Sequence, residues 1–306
     1  MLQLQTGEGS IAVPTITVDG FGSLLRTYQG SGNLTLPSVE VEGVGSIGRV
    51  GSGAIVLPSL EVNGVGTTTP ELNNLLAWWD LEGTGGNWVD SHTGGYTLTP
   101  QGTVSSVAGK IGNAFQMAGD GSNSRIQSTD SAFNFGDVPV YMAHWYYPQS
   151  LVGADAPNFG QIYAGRYETT GNQRAYEFNN RRNLDNTANI VGVLVSANGS
   201  SFTLLRHTLT LSLDTWYFVE FYHDPVADLI GIAVNNSEFV TASHSGGFFV
   251  GSTAPFRIGH RTDGLSDWAA RVDAFKIYTA LPADLSPSGA LRSALWNNGN
   301  GISYPG

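Results

Sequence analysis

Short runs of alternating apolar and polar residues dominate the chain from about residue 75 onward. Ile230, Ile232 and Val234 alternate with small residues, which is the two-residue period of a β-strand with one buried face. Turns rich in Gly, Asp, Asn and Ser separate the runs, and helical periodicity is almost absent. Many short strands at regular spacing predict an all-β fold, a two-sheet antiparallel jelly-roll sandwich.

The same pattern places the individual strands. We expect them at residues 75–81, 96–99, 114–117, 140–147, 160–167, 175–179, 190–196, 202–209, 216–222, 229–234, 256–258 and 268–278. Four of the five tryptophans in these runs are expected to be packing residues: Trp78, Trp79, Trp145 and Trp216.

The first seventy residues carry a different pattern, which occurs three times. Residues 7–22, 30–45 and 51–66 align without gaps on the motif G-x-G-x-Φ-x-Φ-P-x-Φ-x-V-x-G-x-G, where Φ is aliphatic. The proline of each copy (Pro14, Pro37 or Pro58) cannot donate to a strand ladder, and the apolar phase slips by one residue across it. Each copy is therefore predicted to form two short strands joined at a bulge or corner.

One such unit cannot bury its apolar face alone, so it must stack on neighbouring units or on other chains. Three arrangements are open: a three-fold β-prism within one chain, an intertwined trimer, or an extended arm that docks by strand addition. The repeats resemble those of bacteriophage tail and head-fibre proteins. This resemblance implies that residues 1–70 anchor the chain to other virion proteins, capsid or tail, and it favours a homotrimer.

A linker-like stretch, residues 67–70, predicts a domain boundary. We expect an anchoring or oligomerisation region at 1–70 and the sandwich at 71–306. The N-terminus has neither a basic region nor an apolar run, which predicts no signal peptide. Together with this, the resemblance to phage fibre repeats implies assembly in the host cytoplasm and a location on the virion surface.

Composition narrows the possible partners. The formal net charge is −11 with only 14 Lys and Arg, which argues against nucleic-acid binding, since that depends on neutralising phosphates. No apolar run approaches the length of about 18 residues that would predict membrane insertion. The chain has no Cys, which excludes thiol catalysis, disulfides and thiolate metal sites.

Several motifs of the larger region occur in a family-like order. They include the aromatic strand and acidic-Gly turn LAWWDLEGTG at 76–85, VAGKIGNAFQMAG at 107–119, DTWYFVEFY at 214–222 and RVDAFKIY at 271–278. Residues 72–305 resemble the laminin-G-like, concanavalin A-like lectin and glucanase sandwiches. Residues 294–305 resemble the short C-terminal helix and tail of the phage-borne members.

Catalysis is not expected. Related sandwich glucanases carry paired carboxylates at alternate positions of one strand, because retaining hydrolysis needs carboxyl groups about 5–5.5 Å apart. Glu168 and Glu177 have no such partner on their own strands and Glu220 stands alone, so we expect all three on solvated strand faces. A glycan-active enzyme is kept as a minor alternative.

Ca²⁺ is the one cofactor to consider, since it accepts carboxylates together with backbone carbonyls and water. The family resemblance implies that an acid after the first strand lies near one in the last strand. The matching positions are Glu82 and Asp273, with Asp90 as a third candidate. The alternative is that these are turn-forming acids that bind backbone groups.

Glycan recognition would use aromatic platforms and nearby polar groups. The stretch from Asn179 to Asn183 is the most polar in a chain with only 13% charged residues, and its alternative interpretation is an exposed hairpin. The candidate ligand-binding residues are Tyr167, Arg174, Tyr176, Asn180, Arg181, Arg182 and Trp268.

These features predict a non-catalytic virion structural protein, a capsid decoration, cement or fibre component that displays a lectin-like sandwich. The alternative is a phage adhesin, with the same architecture, whose sandwich binds host surface glycans.

Overall fold

A computed structural model describes residues 17–19, 40–42, 70–83, 86–154, 160–261 and 268–305. The chain divides into two units, Met1–Thr68 and Thr69–Gly306. In the first unit, strand β1 (Thr17–Asp19) pairs in parallel with β2 (Glu40–Glu42), so equivalent positions of the first two repeats lie opposite each other. Pro14, Pro37 and Pro58 lie outside the described residues, and their anchoring role stays a prediction.

The described residues of the second unit form short strands and one short α-helix. In chain order these are β3 (Leu75–Trp79), β4 (Trp88–Val89), β5 (Thr97–Gln101), β6 (Ser105–Ala108), β7 (Asn113–Ala118), β8 (Arg125–Ser128), β9 (Val140–Pro148), β10 (Gly160–Glu168), β11 (Gln173–Arg182), β12 (Asn189–Gly199), β13 (Thr203–Arg206), β14 (Tyr217–Asp224), β15 (Leu229–Val234), β16 (Val240–Ser243), β17 (Phe256–Gly259), β18 (Ala269–Tyr278) and α1 (Ala290–Trp296). Short 3₁₀ turns lie at Pro70–Leu72, Ser131–Phe133, Thr170–Asn172 and Asn297–Gly299.

These strands form two eight-stranded antiparallel sheets. The first sheet has the order β13-β12-β11-β10-β17-β8-β5-β4. The second has the order β16-β15-β14-β9-β18-β7-β6, and β3 pairs with β18 beside this path. The predicted all-β, two-sheet antiparallel sandwich is confirmed.

The main core lies between the sheets. Phe178 and Val193 from the first sheet pack in the same buried cluster as Phe221 and Phe275 from the second. The predicted packing tryptophans Trp78, Trp79 and Trp145 are fully or almost fully buried, and Trp216 is half-buried against Tyr147. Burial of these large aromatic side chains is the main source of stability for such a sandwich.

A second apolar cluster covers the outer side of the second sheet. Trp78, Trp145 and Phe218 point away from the main core and pack with Leu295 of helix α1. The tail continues this cover, because Tyr304 lies edge-on against Trp78, with ring centroids 5.7 Å apart. The outer side of the second sheet is therefore closed by the C-terminal segment.

A buried ion pair fastens helix α1 to this sheet. Arg292 donates from Nε to Glu220 Oε1 over 2.6 Å and from Nη2 to Glu220 Oε2 over 2.8 Å. The hydroxyl of Tyr141 also donates to Glu220, over 2.7 Å. The expectation that Glu220 lies on a solvated strand face is wrong, because α1 covers the strand at this point and Arg292 supplies its counterion.

Most strand positions agree with the sequence pattern, with ends that differ by a few residues. The pattern missed β4, β6, β8 and β16, which have four residues or fewer. Too few residues alternate in such strands for the period to be visible. Helix α1 begins at Ala290, before the motif that predicted it. None of the helices among the described residues is long and apolar enough to cross a membrane.

Candidate functional site

The two sides of the first sheet differ in chemistry. On the inner side, Leu98, Ile126, Phe178, Val193 and Ile258 belong to the core. The residues between them point outward, because side chains alternate along a strand. We call this outward side the polar face and define it by Thr97, Thr99, Gln101, Arg125, Gln127, Gly165, Glu177, Asn179, Arg181, Gly192, Leu194, Leu204, Arg206 and Arg257.

Strand register lines these residues up across the sheet. Starting at β5, successive cross-strand partners are Thr99, Gln127, Arg257, Gly165, Glu177, Leu194 and Leu204. Neighbouring strands lie about 4.8 Å apart, so the row is roughly 30 Å long. Thr99 and Gln127 at the β5 end and Leu204 at the other end are accessible, whereas the four positions between them, Arg257, Gly165, Glu177 and Leu194, are buried.

An open cleft of about 500 Å³ lies at the β5 end of this row. The cleft is lined by Thr97, Thr99, Gln101 and Gln127 of the polar face, together with Tyr96. Hydroxyl and amide groups both donate and accept hydrogen bonds. The lining therefore suits a ligand that is rich in hydroxyl groups.

Arg257 occupies the middle of the row and is fully buried. Its Nη1 donates to Glu168 Oε1 over 2.6 Å, and its Nη2 donates to the carbonyl oxygen of Tyr167. Burial lowers the pKa of Arg257, and the negative charge of Glu168 opposes this effect. Glu168 was expected on a solvated face, but its side chain is mostly buried against Arg257.

Glu177 lies beside this pair and is only 4% exposed. Its Oε1 accepts a hydrogen bond from Asn179 Nδ2 over 3.0 Å, and its Oε2 is buried without a hydrogen-bond partner. Burial raises the pKa of Glu177 to about 7, although the charges of Arg181, Arg257 and Arg261 act in the opposite direction. The expectation that Glu177 is solvated is wrong, because the polar face is itself buried at this strand.

Three of the predicted ligand-binding residues lie on or beside the polar face. Arg181 belongs to it, and Tyr167 lies close enough to influence the pKa of Arg181. Arg174 donates from Nε to the hydroxyl of Tyr167 over 3.1 Å, and the guanidinium of Arg261 lies 5.6 Å from the Tyr167 ring centre.

The other four lie elsewhere. Tyr176 and Trp268 belong to the main core. Asn180 is buried and donates to Gln161 Oε1 over 2.7 Å, while Arg182 donates to Asn186 Oδ1 over 2.8 Å within the turn after β11. Their interactions are with the protein itself.

Two of the three predicted metal-binding residues, Glu82 and Asp273, bind the same turn. Asp273 Oδ2 accepts from the backbone N–H groups of Lys110 and Ile111, at 2.8 and 2.9 Å, and Glu82 Oε2 accepts from that of Asn113, at 2.9 Å. Both carboxylates thus hold the turn between β6 and β7. Asp90 instead binds the backbone N–H groups of residues 78 and 92.

A lysine supplies positive charge beside Asp273. Burial is the largest influence on both groups: it raises the pKa of Asp273 to about 7 and lowers that of Lys276 to about 7, while each charge favours the other. Lys276 Nζ donates to the Ala274 carbonyl over 2.8 Å and lies 4.2 Å from the Trp78 ring centre. The part of the chain that the structure describes contains no group of three or more His, Asp or Glu side chains that could hold a metal ion. Calcium binding stays a prediction.

The sequence did not indicate Arg206, Arg257 or Gln127 as site residues. Each lies in a strand of only four residues, and their proximity to Arg181 and Glu177 depends on the strand order of the sheet. In the sequence, each of them is next to an apolar residue (Leu205, Ile258 or Ile126). The alternation of side chains along a strand could therefore have indicated that all three point outward.

Comparison with known proteins places the chain in a family. A model of the concanavalin A-like lectin/glucanases superfamily matches residues 120–284, more than half of the chain. No match is found among curated proteins.

Solved structures share the fold at low sequence identity. The chain is similar to the binding domain of Paraclostridial Mosquitocidal Protein 1, with a TM-score of 0.54, 13% identity, and coverage of 72% of this chain and 51% of that one. It is similar to domain 4 of AbnA, a GH43 extracellular arabinanase from Geobacillus stearothermophilus in complex with arabinotriose, with a TM-score of 0.50, 16% identity, and coverage of 71% and 97%. It is also similar to botulinum neurotoxin type C, whose cell entry depends on interaction with two ganglioside molecules, with a TM-score of 0.50, 14% identity, and coverage of 69% and 49%.

The chain spans about half the length of the two toxin structures. At these identities the likeness concerns the fold, which agrees with the family match and with the two antiparallel sheets. The chain belongs to the concanavalin A-like lectin/glucanases superfamily.

Proposed function

We propose that this protein is a non-catalytic adhesin that binds host-surface glycans on the polar face of its sandwich. The observation that carries the proposal is the open cleft of about 500 Å³, which hydroxyl and amide side chains of the polar face line at its β5 end. Binding sites for small molecules are concave and fix the orientation of the ligand with a few polar groups.

The cleft lining supports a carbohydrate as the ligand. The side chains of Thr99 and Gln101 make no hydrogen bond to other described residues, so their polar groups are available to sugar hydroxyls.

Two structural relatives support the same ligand class. The AbnA domain is in complex with arabinotriose, and the botulinum neurotoxin type C structure concerns interaction with ganglioside molecules. Both ligands are carbohydrates or carry them.

The non-catalytic part of the proposal is supported by the state of the acids on this side of the sheet. Glu168 is bound by Arg257, and the Oε1 of Glu177 is bound by Asn179. A retaining glycosidase needs two carboxyl groups that act together on one bond. Here Glu168 is paired with Arg257, and Glu177 is buried with its Oε1 bound by Asn179 and its Oε2 without a partner.

A glycan array tests the proposal, with two double variants for comparison. Thr99→Ala with Gln101→Ala removes cleft groups, and Thr241→Ala with Ser243→Ala removes exposed groups from β16 of the second sheet. We expect the cleft variant to weaken glycan binding about tenfold or more and the β16 variant to leave it unchanged. A wild-type protein that binds no glycan contradicts the proposal, and release of sugar products contradicts its non-catalytic part.

The three-copy repeat supports a second proposal, that residues 1–70 anchor the protein to a virion as a decoration or fibre component. We expect an antibody against residues 71–306 to label phage particles from the source of the protein in electron microscopy. We also expect the chain of residues 1–306 to be trimeric by light scattering. Unlabelled particles contradict the virion role, and a monomeric full-length chain contradicts the trimer.

A further inference from the structure

Two arginines of the polar face lack a hydrogen-bonding counterion. Arg181 on β11 is 6% exposed, and its Nε is buried without a partner. Arg206 lies on the edge strand β13, half-buried, and its Nε is also without a partner. Neither guanidinium makes a hydrogen bond to any of the described residues, whereas Arg257 on the same face is bound to Glu168.

Strand register brings these two arginines together. Gly192 on β12 lies opposite Asn179 on one side and opposite Arg206 on the other. A Cβ atom at Gly192 would lie 2.7 Å from Arg181 Cδ and 2.7 Å from Asn179 Oδ1. The glycine therefore leaves room for the Arg181 side chain to cross β12 toward Arg206.

The arrangement concentrates positive charge in an acidic protein. Burial, together with the positive charge of Arg206, lowers the pKa of Arg181 to about 10, and the negative charge of Glu177 acts in the opposite direction. The chain has only 14 Lys and Arg and a net charge of −11. Two neighbouring arginines without a hydrogen-bonded acid are therefore not expected from its composition alone.

A buried charge without a partner destabilises the folded protein, so such charges are found mainly at functional sites. A guanidinium presents a planar fork of N–H donors that matches the two oxygens of a carboxylate. Asn179 Oδ1 lies beside Arg181 and is buried without a partner, so one acceptor for a hydroxyl group is present at the same place. An acid group flanked by a hydroxyl meets both requirements.

We propose that Arg181 and Arg206 form an oxyanion subsite of the polar face that binds the carboxylate of an acidic sugar residue. Asn179 Oδ1 accepts a hydrogen bond from a neighbouring hydroxyl of the same sugar. This inference rests on the proposed glycan-binding function and names the ligand class, a carboxylated saccharide.

Calorimetric titration with a matched pair of ligands tests the subsite: an oligosaccharide ending in a uronic acid, and the same oligosaccharide after reduction of its carboxyl group. Arg206→Gln is the main variant, because Arg206 is half-buried on an edge strand and makes no hydrogen bond to the described residues. Arg206→Lys keeps the charge without the fork, and Arg271→Gln removes an arginine from the second sheet as the matched control.

We expect the wild type and Arg271→Gln to prefer the acidic ligand. Arg206→Gln should lose about tenfold or more in affinity for the acidic ligand and none for the neutral one, and Arg206→Lys should lie between. The preference should also fall as salt is raised, since one charge partner is partly exposed.

Equal affinity of the wild type for both ligands, or an unchanged preference in Arg206→Gln, overturns the subsite and leaves glycan binding intact. Failure of both ligands to bind counts against the proposed function instead. Titration with inorganic sulfate, followed through the Nε resonances of the arginines, then decides the subsite separately. Shifts at Arg181 that disappear in Arg206→Gln support it, and the absence of shifts overturns it.

Discussion

Arg292 and Arg181 are both buried arginines on the outer sides of the two sheets, and their surroundings differ. Arg292 binds both carboxylate oxygens of Glu220 and also the carbonyl oxygens of Leu285 and Ser237. Arg181 has no hydrogen-bond partner among the described residues. The second sheet is thus closed by the C-terminal segment of the same chain, whereas the first sheet keeps unmet hydrogen-bonding capacity that a ligand can satisfy.

The largest expected effect is a difference between these two arginines in how much their replacement lowers the free energy of unfolding. Arg292→Met leaves Glu220 buried without its counterion, and we expect a loss of about 3–5 kcal/mol in the free energy of unfolding. Arg181→Met removes no hydrogen bond, and we expect a change within about 1 kcal/mol of the wild type, in either direction. Urea unfolding with a common m-value measures both.

Replacing the acid as well provides the control. Arg292→Met with Glu220→Leu removes both charges, and we expect it to recover most of the lost stability because no buried charge remains unpaired. If Arg181→Met cost as much as Arg292→Met, the guanidinium of Arg181 would have a partner within the protein, and the contrast between the two faces would fail.

The same contrast explains how far the sequence could predict the fold. The two-residue alternation within one strand predicts which side is apolar, as at Phe178, and this placed most strands correctly. It does not predict what covers the other side. Glu220 is buried by a helix about seventy residues later in the chain, and Glu177 by the packing of the polar face, so both were wrongly expected to be solvated.

The candidate site was predicted in part for the same reason. The polar stretch from Asn179 to Asn183 lies at the end of β11, and Arg181 lies on the outward side of that strand. Tyr176 and Asn180 share the inward side with Phe178, which the two-residue period already implied. Arg206 could not be found, since it reaches Arg181 only through the antiparallel order β11-β12-β13.

The predicted metal residues show the limit of a family resemblance. It implied that Glu82 and Asp273 lie near each other, and both carboxylates bind backbone N–H groups between residues 110 and 113, an arrangement that depends on the conformation of that turn. Positions of acids along a sequence do not distinguish a metal ligand from a turn-binding group.

A smaller effect concerns the polar face alone and depends on pH. Glu177 has a pKa of about 7 in the folded protein because it is buried, against an ordinary value of 4.5. Between these two values the folded state holds a proton that the unfolded chain releases, so raising the pH from 4.5 to 7 should lower stability. Glu177→Gln removes this proton, and we expect its stability relative to the wild type to rise by about 2 kcal/mol across the same window.

Urea unfolding of both proteins at several pH values between 4 and 8 measures the difference. Asp273 also has a raised pKa and contributes a slope in the same direction, but it is present in both proteins and cancels in the comparison. A stability difference that does not change with pH would mean that Glu177 is ionised in the folded state throughout. The three arginines near it would then be stronger partners than its burial allows, and less of their charge would remain for an acidic ligand.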